Sequence, residues 1–353
     1  MARTPELVQE GYLFPETPRW HAPSGSFFFV DIDRGQIHRW VPGERAQLHF
    51  QHSDWISGYA FGPGDQWTVT SARRRVLMHV AMGSTPDTAT ATDVADLSGV
   101  ARFGINDLLV APNGITYVDT LCYNFLAGES AKPEPSPVMA VMPDGTFKEA
   151  TRVTSFPNGM ALAPGSNTLL VADSLAQCMY AFTMQADGTL TDGRVWADMS
   201  REMPDGVSLD AEGGLWVATH HRVVRVVEGG AITDEVDMGP TRATACMLGG
   251  PDGKTLLITA SDSHDRSIIT DNPSGRIFSV RADALGITTK QLTGDRTMNA
   301  FRVTYTDGDY YETNANGTLE EMTAYWRSYP HVTENFETGE ETYRYVATVE
   351  QIA

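Results

Sequence analysis

The sequence of 353 residues has few cysteines and few basic side chains. Its three cysteines, Cys122, Cys178 and Cys246, include no C-x-x-C pair. This excludes a disulfide framework and a zinc-thiolate site, and it favours a reducing compartment. The 26 Lys and Arg residues stand against 45 Asp and Glu residues, for a net charge of −19. That charge repels phosphate backbones and anionic lipid surfaces. We therefore expect a cytoplasmic protein that binds neither nucleic acid nor membranes.

Long apolar segments and familiar catalytic motifs are also missing. No apolar run approaches the roughly 18 residues that a membrane span needs, and the first residues, MARTPELVQEGYLF, lack the basic-then-apolar pattern of a signal peptide. The sequence contains no G-x-S-x-G, no Gly-rich phosphate loop and no H-E-x-x-H. The common serine-hydrolase, nucleotide-binding and zinc-protease classes are therefore not indicated.

The sequence instead contains a repeat. A turn with glycine, followed by a run of apolar and β-branched residues, recurs six times. The marker glycines are Gly25, Gly64, Gly114, Gly165, Gly213 and Gly253. Successive markers lie 39 to 51 residues apart, and a period of roughly 40–50 residues is typical of a four-stranded propeller blade. We predict an all-β fold, a six-bladed β-propeller over residues 1–290, with the run after each glycine as an inner blade strand. A β-sandwich is the alternative, which six similar units argue against.

Residues 291–353 break this pattern. Residues 301–315 resemble a hairpin with a D-G turn, residues 317–329 a short amphipathic helix, and residues 341–352 a strand. We predict a small β-β-α-β extension. Its many tyrosines indicate that it packs on the propeller rim or on a second copy of the chain, giving a homo-oligomer.

Four polar residues occupy a comparable place in four repeats, a few residues before the marker glycine. They are Glu16, Asn106, Asn158 and Asp205. Taken singly, N-G and D-G pairs are ordinary turn formers. Because equivalent positions of a propeller converge on its central channel, the set together predicts an oxygen cage for one divalent metal. Oxygen ligands favour Ca²⁺, with Zn²⁺, Mg²⁺ or Mn²⁺ as alternatives.

Four segments carry a family resemblance: ETPRW, NDLLVAPNG, FPNGMALAPGSNTLLVADS and MPDGVSLDAEGGLWVA. Over residues 10–283 the chain resembles the gluconolactonase/regucalcin-like lactonase family of the senescence marker protein type, six-bladed propellers with one metal. The resemblance implies that Glu16, Asn158 and Asp205 hold the metal, that Asn106 lies beside it and contacts metal or substrate, and that Asp205 is the general base. It also places Asp173 near the channel.

The sequence departs from the family pattern at the substrate side of the site. Thr17 stands where the family usually has glycine, and Arg102 lies further from Asn106 than the family's arginine. The expected channel mouth is less polar than in the family. The residues expected to line the substrate are Arg102, Phe103, Tyr123, Asp173, His220 and His221. Adjacent strand residues point to opposite faces, so His220 and His221 do not easily bind one ion.

These observations predict a metal-dependent hydrolase that opens a lactone, with a small molecule as substrate and Asp205 and Asn106 as catalytic residues. Two alternatives remain open. The same site could catalyse an isomerase, lyase or hydratase reaction on a less polar substrate, which a substrate panel distinguishes. The chain could also be a non-enzymatic calcium- or ligand-binding propeller. Turnover of a lactone that is abolished by a chelator would exclude this alternative.

Overall fold

The computed structural model describes residues 2–62, 66–83, 85–124, 134–152, 154–199, 202–263, 265–287, 299–305, 310–315, 331–334, 341–344 and 346–352. Its main body is a six-bladed β-propeller, as the repeat predicts. Each blade is an antiparallel four-stranded sheet. In the described part of the chain, no helix is both long and apolar enough to cross a membrane.

The strands follow the chain from blade to blade. Blade one contains β2 (Pro15–His21), β3 (Ser26–Asp31), β4 (Gln36–Trp40) and β5 (Gln47–Gln51). Blade two contains β6 (Tyr59–Phe61), β7 (Gln66–Ser71), β8 (Val76–Ala81) and β9 (Thr90–Asp96). Blade three contains β10 (Gly104–Val110), β11 (Thr116–Leu121), β12 (Val138–Val141) and β13 (Phe147–Thr151). Blade four contains β14 (Pro157–Leu162), β15 (Thr168–Asp173), β16 (Cys178–Met184) and β17 (Leu190–Asp198). Blade five contains β18 (Val207–Leu209), β19 (Leu215–Ala218), β20 (Arg222–Val226) and β21 (Ile232–Asp237).

Blade six closes the ring with a strand from the other end of the chain. Its strands are β22 (Arg242–Gly249), β23 (Thr255–Ser261), β24 (Gly275–Arg281) and the N-terminal β1 (Glu6–Tyr12), which pairs antiparallel with β24. This pairing ties the start and the end of the propeller into one sheet, so the ring cannot open without breaking that ladder.

The predicted marker glycines occupy the first hairpin of each blade, between the first and second strands. Gly25, Gly114, Gly165, Gly213 and Gly253 all have a positive φ, between 58° and 82°, a conformation that glycine adopts at little cost. Gly64 lies outside the described residues.

The run after each marker glycine forms the second strand of its blade, whereas we expected an inner strand. The first strands contact one another across neighbouring blades and so surround the channel. Second strands such as β3 are buried along their whole length because sheets of neighbouring blades cover both faces. A continuous apolar run therefore does not reveal which of two buried strands faces the axis.

The hydrophobic core lies between the blades. One cluster combines residues of blades one and two, among them Phe14, Ile56 and Trp67, with Ile269 from the short helix α1 (Arg266–Asp271). That helix is inserted between β23 and β24 of blade six, so this cluster also holds the insertion in place.

Beyond the propeller, β25 (Asn299–Tyr305), β26 (Tyr310–Ala315) and β29 (Val346–Ile352) form a sheet in the order β26-β25-β29. A separate hairpin pairs β27 (His331–Glu334) with β28 (Glu341–Arg344). The expected single strand over residues 341–352 is thus divided between two sheets. The expected helix over residues 317–329 lies outside the described residues, and the domain boundary near residue 290 stays a prediction.

Candidate functional site

The four predicted ligand residues lie at equivalent places in blades one, three, four and five. In β2, β10 and β14 the pairing with the second strand shifts register next to Glu16, Asn106 and Asn158. Such a bulge turns a side chain out of the regular alternation. Asp205 lies two residues before β18, where its backbone N–H donates to the Ala218 carbonyl at 2.9 Å. The backbone positions of the four residues therefore lie at the same depth along the channel axis.

Side-chain contacts connect these residues across blades. The Asn106 Nδ2 donates to Asn158 Oδ1 at 3.4 Å, and Asn158 hydrogen-bonds Asp205. Glu16 and Asp205 are close enough to repel each other. All four side chains are half-buried. The structure thus brings the predicted set together at a place that solvent still reaches.

The two carboxylates disfavour each other's charge. Burial raises the pKa of Glu16, and repulsion by Asp205 raises it further, while the Thr17 N–H at 2.5 Å from Oε2 opposes this. Burial also raises the pKa of Asp205, against the hydrogen bond from Asn158. Arg19 offsets the repulsion at Glu16 only weakly. A divalent cation would supply the missing positive charge.

The donor chemistry fits such a cation. Two carboxylates and two amide oxygens are hard ligands of the kind that Ca²⁺ prefers. Among the described residues no group of three or more His, Cys, Asp and Glu side chains is arranged to hold a metal. The candidate site therefore depends on the amide oxygens of Asn106 and Asn158.

Asp119 on β11 is a further carboxyl group at this site, which sequence reasoning missed. It is fully buried, and its Oδ2 accepts a hydrogen bond from Asn106 Nδ2 at 3.3 Å. Its Oδ1 is buried and has no hydrogen-bond partner among the described residues. In blade one, Glu16 pairs with Val30 of the second strand. Val30 therefore occupies in blade one the position that Asp119 occupies beside Asn106 in blade three. An acidic residue inside the buried run ITYVDT is the signal that could have identified it.

Asp119 decides how the neighbouring amide is oriented. The Nδ2 of Asn106 is engaged by Asp119 and by Asn158, so the amide oxygen is the atom left to contact a ligand. Burial raises the pKa of Asp119 well above its usual range, and the Asp107 charge adds to this. In this arrangement Asn106 is suited to hold a cation rather than to donate a hydrogen bond to an oxyanion.

An ion pair spans the channel next to this site. Arg19 Nη2 lies 2.9 Å from Asp107 Oδ1. Blade two separates blades one and three in the ring, so the pair bridges two blades that are not neighbours. The Tyr59 hydroxyl near this pair is buried without a hydrogen-bond partner in the described part of the chain, and burial raises its pKa.

Hydroxyl groups close to the ligand residues donate hydrogen bonds to backbone carbonyl groups of neighbouring blades. The bonds run from Thr17 Oγ1 to Ser57 O at 2.6 Å, from Ser57 Oγ to Asn106 O at 2.7 Å, from Ser174 Oγ to Pro204 O at 2.7 Å, and from Thr244 Oγ1 to Pro15 O at 2.8 Å. Thr17 has a φ of 47°, an unfavourable value for a β-branched residue. Its hydrogen bond to blade two compensates for this where the family usually has glycine.

Asp173 has a different place from the substrate-lining one that we expected. It is fully buried, and its carboxylate accepts backbone N–H bonds from Ser155 at 2.6 Å, Phe156 at 3.0 Å and Ala176 at 3.0 Å. These bonds shape the segment that leads into Asn158. Because these three hydrogen bonds come from backbone amides, two of them just before Asn158, we assign Asp173 the role of positioning Asn158.

The other residues expected at the mouth fall into distinct environments. Arg102 is exposed, pairs with Glu134 at 2.6 Å and lies 5.7 Å from the centre of the exposed Phe103 ring. Tyr123 is buried against Phe156, with ring centres 5.8 Å apart. Phe103 is thus the more accessible of the two aromatic residues.

The two histidines have different surroundings, as their adjacency predicts. His220 is half-buried with a φ of 63°, and burial lowers its pKa. His221 is exposed.

Comparisons with known proteins agree with the propeller fold and show the family. The family model described as the SMP-30/Gluconolactonase/LRE-like region matches residues 14–262. Regucalcin of Oryctolagus cuniculus is 27% identical over 273 residues, which cover 75% of this chain and 89% of that protein. The pentonolactonase of Haloferax volcanii is 23% identical over an alignment that covers 72% of this chain and 84% of that protein. A solved structure of regucalcin from Agrobacterium tumefaciens, described as a calcium-binding protein, has a TM-score of 0.66 and 20% identity over 81% of this chain and 98% of that chain.

Proposed function

Because the chain belongs to the SMP-30/gluconolactonase/LRE-like family, we propose that it is a hydrolase that opens a lactone with the help of one divalent metal. The observation that carries the proposal is the pair of like-charged carboxylates, Glu16 and Asp205, beside two amides in the channel. The names of the relatives, pentonolactonase among them, support the reaction class.

Glu16, Asn158, Asp205 and Asn106 would hold the metal. Ca²⁺ suits four oxygen donors best, and Mg²⁺, Mn²⁺ or Zn²⁺ are alternatives. When bound, the cation supplies an electrophile that polarises an ester carbonyl and acidifies water. Asn106 would contribute its amide oxygen, since Asp119 and Asn158 engage its nitrogen.

Asp205 is our candidate for the general base. Without a cation, burial raises its pKa to about 7; a bound cation would lower this pKa, so that the carboxylate is ionised and can accept a proton from water. The hydrogen bond from Asn158 fixes the direction of the carboxylate. The polar channel wall formed by these side chains, with aromatic residues at its mouth, suits a small substrate with one polar ester group.

The proposal is tested by metal analysis of the purified protein together with a lactone screen, with and without a chelator. Chelator-sensitive opening of a lactone, recovered by adding Ca²⁺, is expected. The Asp205→Asn variant should lose both metal and turnover. A metal-free protein with full lactonase activity would contradict the mechanism, and no turnover on any lactone would leave a calcium-binding propeller.

The aromatic residues at the channel mouth favour a second candidate function. Phe14, Trp55 and Phe103 lie in the segments that lead into the first strands of blades one, two and three, next to arginine side chains. Aromatic residues at this end of the channel suit a less polar substrate than a sugar lactone. An isomerase or lyase in the same site would convert such a substrate without taking up water, and a hydratase would add water to a double bond without opening an ester. Product analysis by NMR distinguishes these reactions from ester opening, which forms a new carboxylate and a new alcohol.

We also propose a cytoplasmic location. Cys122, Cys178 and Cys246 are all free and buried, which agrees with a reducing compartment.

A further inference from the structure

Blade six carries an insertion at the channel mouth. Its second and third strands are joined by residues 262–274, which include α1, whereas residues 32–35, 174–177 and 219–221 suffice in blades one, four and five. Ile269 of α1 is fully buried in the core cluster of blades one and two, with Phe14 and Ile56. The helix therefore reaches over the blades that adjoin Glu16, and packing holds it there.

Arg266, the first residue of α1, is the cation that this insertion brings to the mouth. Its guanidinium carbon lies 4.2 Å from the centre of the Phe14 ring and 5.4 Å from that of Trp55. Its Nε lies 3.1 Å from Asp33 Oδ1. Phe14, on which the guanidinium lies, precedes Glu16 by two residues, and the Glu16 charge acts on Arg266, so the guanidinium is on the Glu16 side of the propeller.

Arg266 forms an ion pair with Asp33, but this contact lacks hydrogen-bond geometry and leaves N–H groups of the guanidinium without an acceptor among the described residues. Its side chain is 20% exposed, and its Nε and Nη1 are buried without a hydrogen-bond partner among the described residues. Burial of the guanidinium lowers its pKa. A buried N–H that lacks a partner costs free energy, so native proteins rarely retain one without a ligand, an ion or water to satisfy it.

The chemistry of the site selects the ligand. The two aromatic rings hold the guanidinium plane in one orientation, and its planar fork of N–H groups matches the paired oxygens of a carboxylate or a phosphate. The net charge of −19 disfavours a doubly charged phosphate more than a singly charged carboxylate. We propose that Arg266, between Phe14 and Trp55, is a subsite for a carboxylate on the substrate, and that the substrate is a lactone with a carboxylate close to the ester. The position of the ester rests on the proposed function, but the carboxylate subsite does not.

Arg73 provides a matched control. Its guanidinium carbon also lies near Trp55, at 5.0 Å from the ring centre. Its side chain is 58% exposed, and its Nε donates a hydrogen bond to Asp54 Oδ1 at 2.7 Å, whereas the Nε of Arg266 is buried without one. If charge at the mouth were sufficient, Arg73 would contribute as much as Arg266.

The test is calorimetric binding of two ligands that cannot be hydrolysed, tetrahydrofuran-2-carboxylate and tetrahydrofuran-2-carboxamide. The wild type as purified should bind the carboxylate about tenfold more tightly than the amide. Arg266→Met should lose this preference, and Arg73→Met should keep it. Equal binding of the two ligands by the wild type, a preference that persists in Arg266→Met, or an equal loss in Arg73→Met would each overturn the proposal. Arg266→Gln replaces the methionine variant if the latter does not fold.

A kinetic comparison separates this inference from the proposed function. With 5-oxotetrahydrofuran-2-carboxylate and its carboxamide as substrates, Arg266→Met should raise KM for the carboxylate only, with kcat little changed. No turnover of either lactone, together with an Arg266-dependent preference in calorimetry, would refute the lactonase proposal and leave the carboxylate subsite standing. A rise of KM for both substrates would assign Arg266 a purely structural role and refute the subsite.

Discussion

Replacing Asp205 by asparagine should stabilise the metal-free protein and at the same time remove its response to metal. In the absence of a cation, Asp205 must ionise beside Glu16 in a partly enclosed channel. Asparagine has nearly the same shape, can keep a hydrogen bond to Asn158, and carries no charge. The substitution therefore removes the repulsion and one metal ligand together.

The magnitude follows from the pKa of Asp205, which burial raises from 3.8 to about 7. At about 1.4 kcal/mol per pKa unit, keeping this group ionised at pH 8 costs up to about 4 kcal/mol. Because Asp205 keeps partial contact with solvent, we expect about 1–3 kcal/mol, or several degrees in Tm. A raised pKa in the folded state contributes stability that is complete below pH 3.8 and is lost progressively as the pH rises to about 7. The difference should therefore be fully developed at pH 8 and less than half as large at pH 5.

The assay is thermal denaturation of wild type and Asp205→Asn at both pH values, with a chelator and with added Ca²⁺. Asp173→Asn is the matched control, since Asp173 is a buried carboxylate that accepts three backbone N–H bonds. This control should be destabilised under every condition. The reasoning is refuted if Asp205→Asn melts below the wild type in chelator at pH 8, or if Ca²⁺ still raises its Tm.

Four further predictions address the surroundings of the site. Asp119→Val, which copies Val30 of blade one, should weaken metal binding about 10–100-fold in calorimetry, with little loss of fold, because Asn106 loses its partner; unchanged affinity would count against this role. Gly159→Ala should weaken metal binding and lower the Tm, since the new Cβ would lie 2.6 Å from the Asp205 carbonyl oxygen; wild-type values for both would show that the blades move apart freely. Ca²⁺ binding at pH 6 should release protons, seen as a dependence of the measured enthalpy on the buffer, because the cation lowers the raised pKa values of the ligand carboxylates; no buffer dependence would contradict those pKa values. A chain that ends at Ile287 should lose thermal stability or self-association in light scattering, whereas unchanged mass, Tm and activity would make residues 291–353 an independent appendage.

The number of blades and the first hairpin of each blade could be predicted from the sequence because both depend on short stretches of chain. A glycine such as Gly114 or Gly213 adopts a positive φ in a tight turn wherever that turn occurs. The β-branched runs that follow form strands for equally local reasons. The closure of blade six by β1 was not predicted, since it joins segments about 270 residues apart.

The candidate ligand residues were predictable only as a set. Glu16, Asn106, Asn158 and Asp205 recur at one place in the repeat, and a ring brings equivalent places together. The sequence did not show that bulges turn three of them out of the strand alternation. A shift of one residue reverses the face to which a side chain points, and such a shift depends on pairing with the neighbouring strand.

By itself, the sequence determined the repeat, the type of strand and turn, and the oxygen chemistry of the site. The tertiary structure alone decided what each charged residue does. Asp119 and Asp173 are both acidic residues near the ends of second strands, yet one orients the Asn106 amide and the other binds backbone N–H groups. Arg266 is remote from Glu16 in the sequence but close to it in the channel. The role of a charge is set by its neighbours and by its exposure to water, and both depend on how distant segments pack.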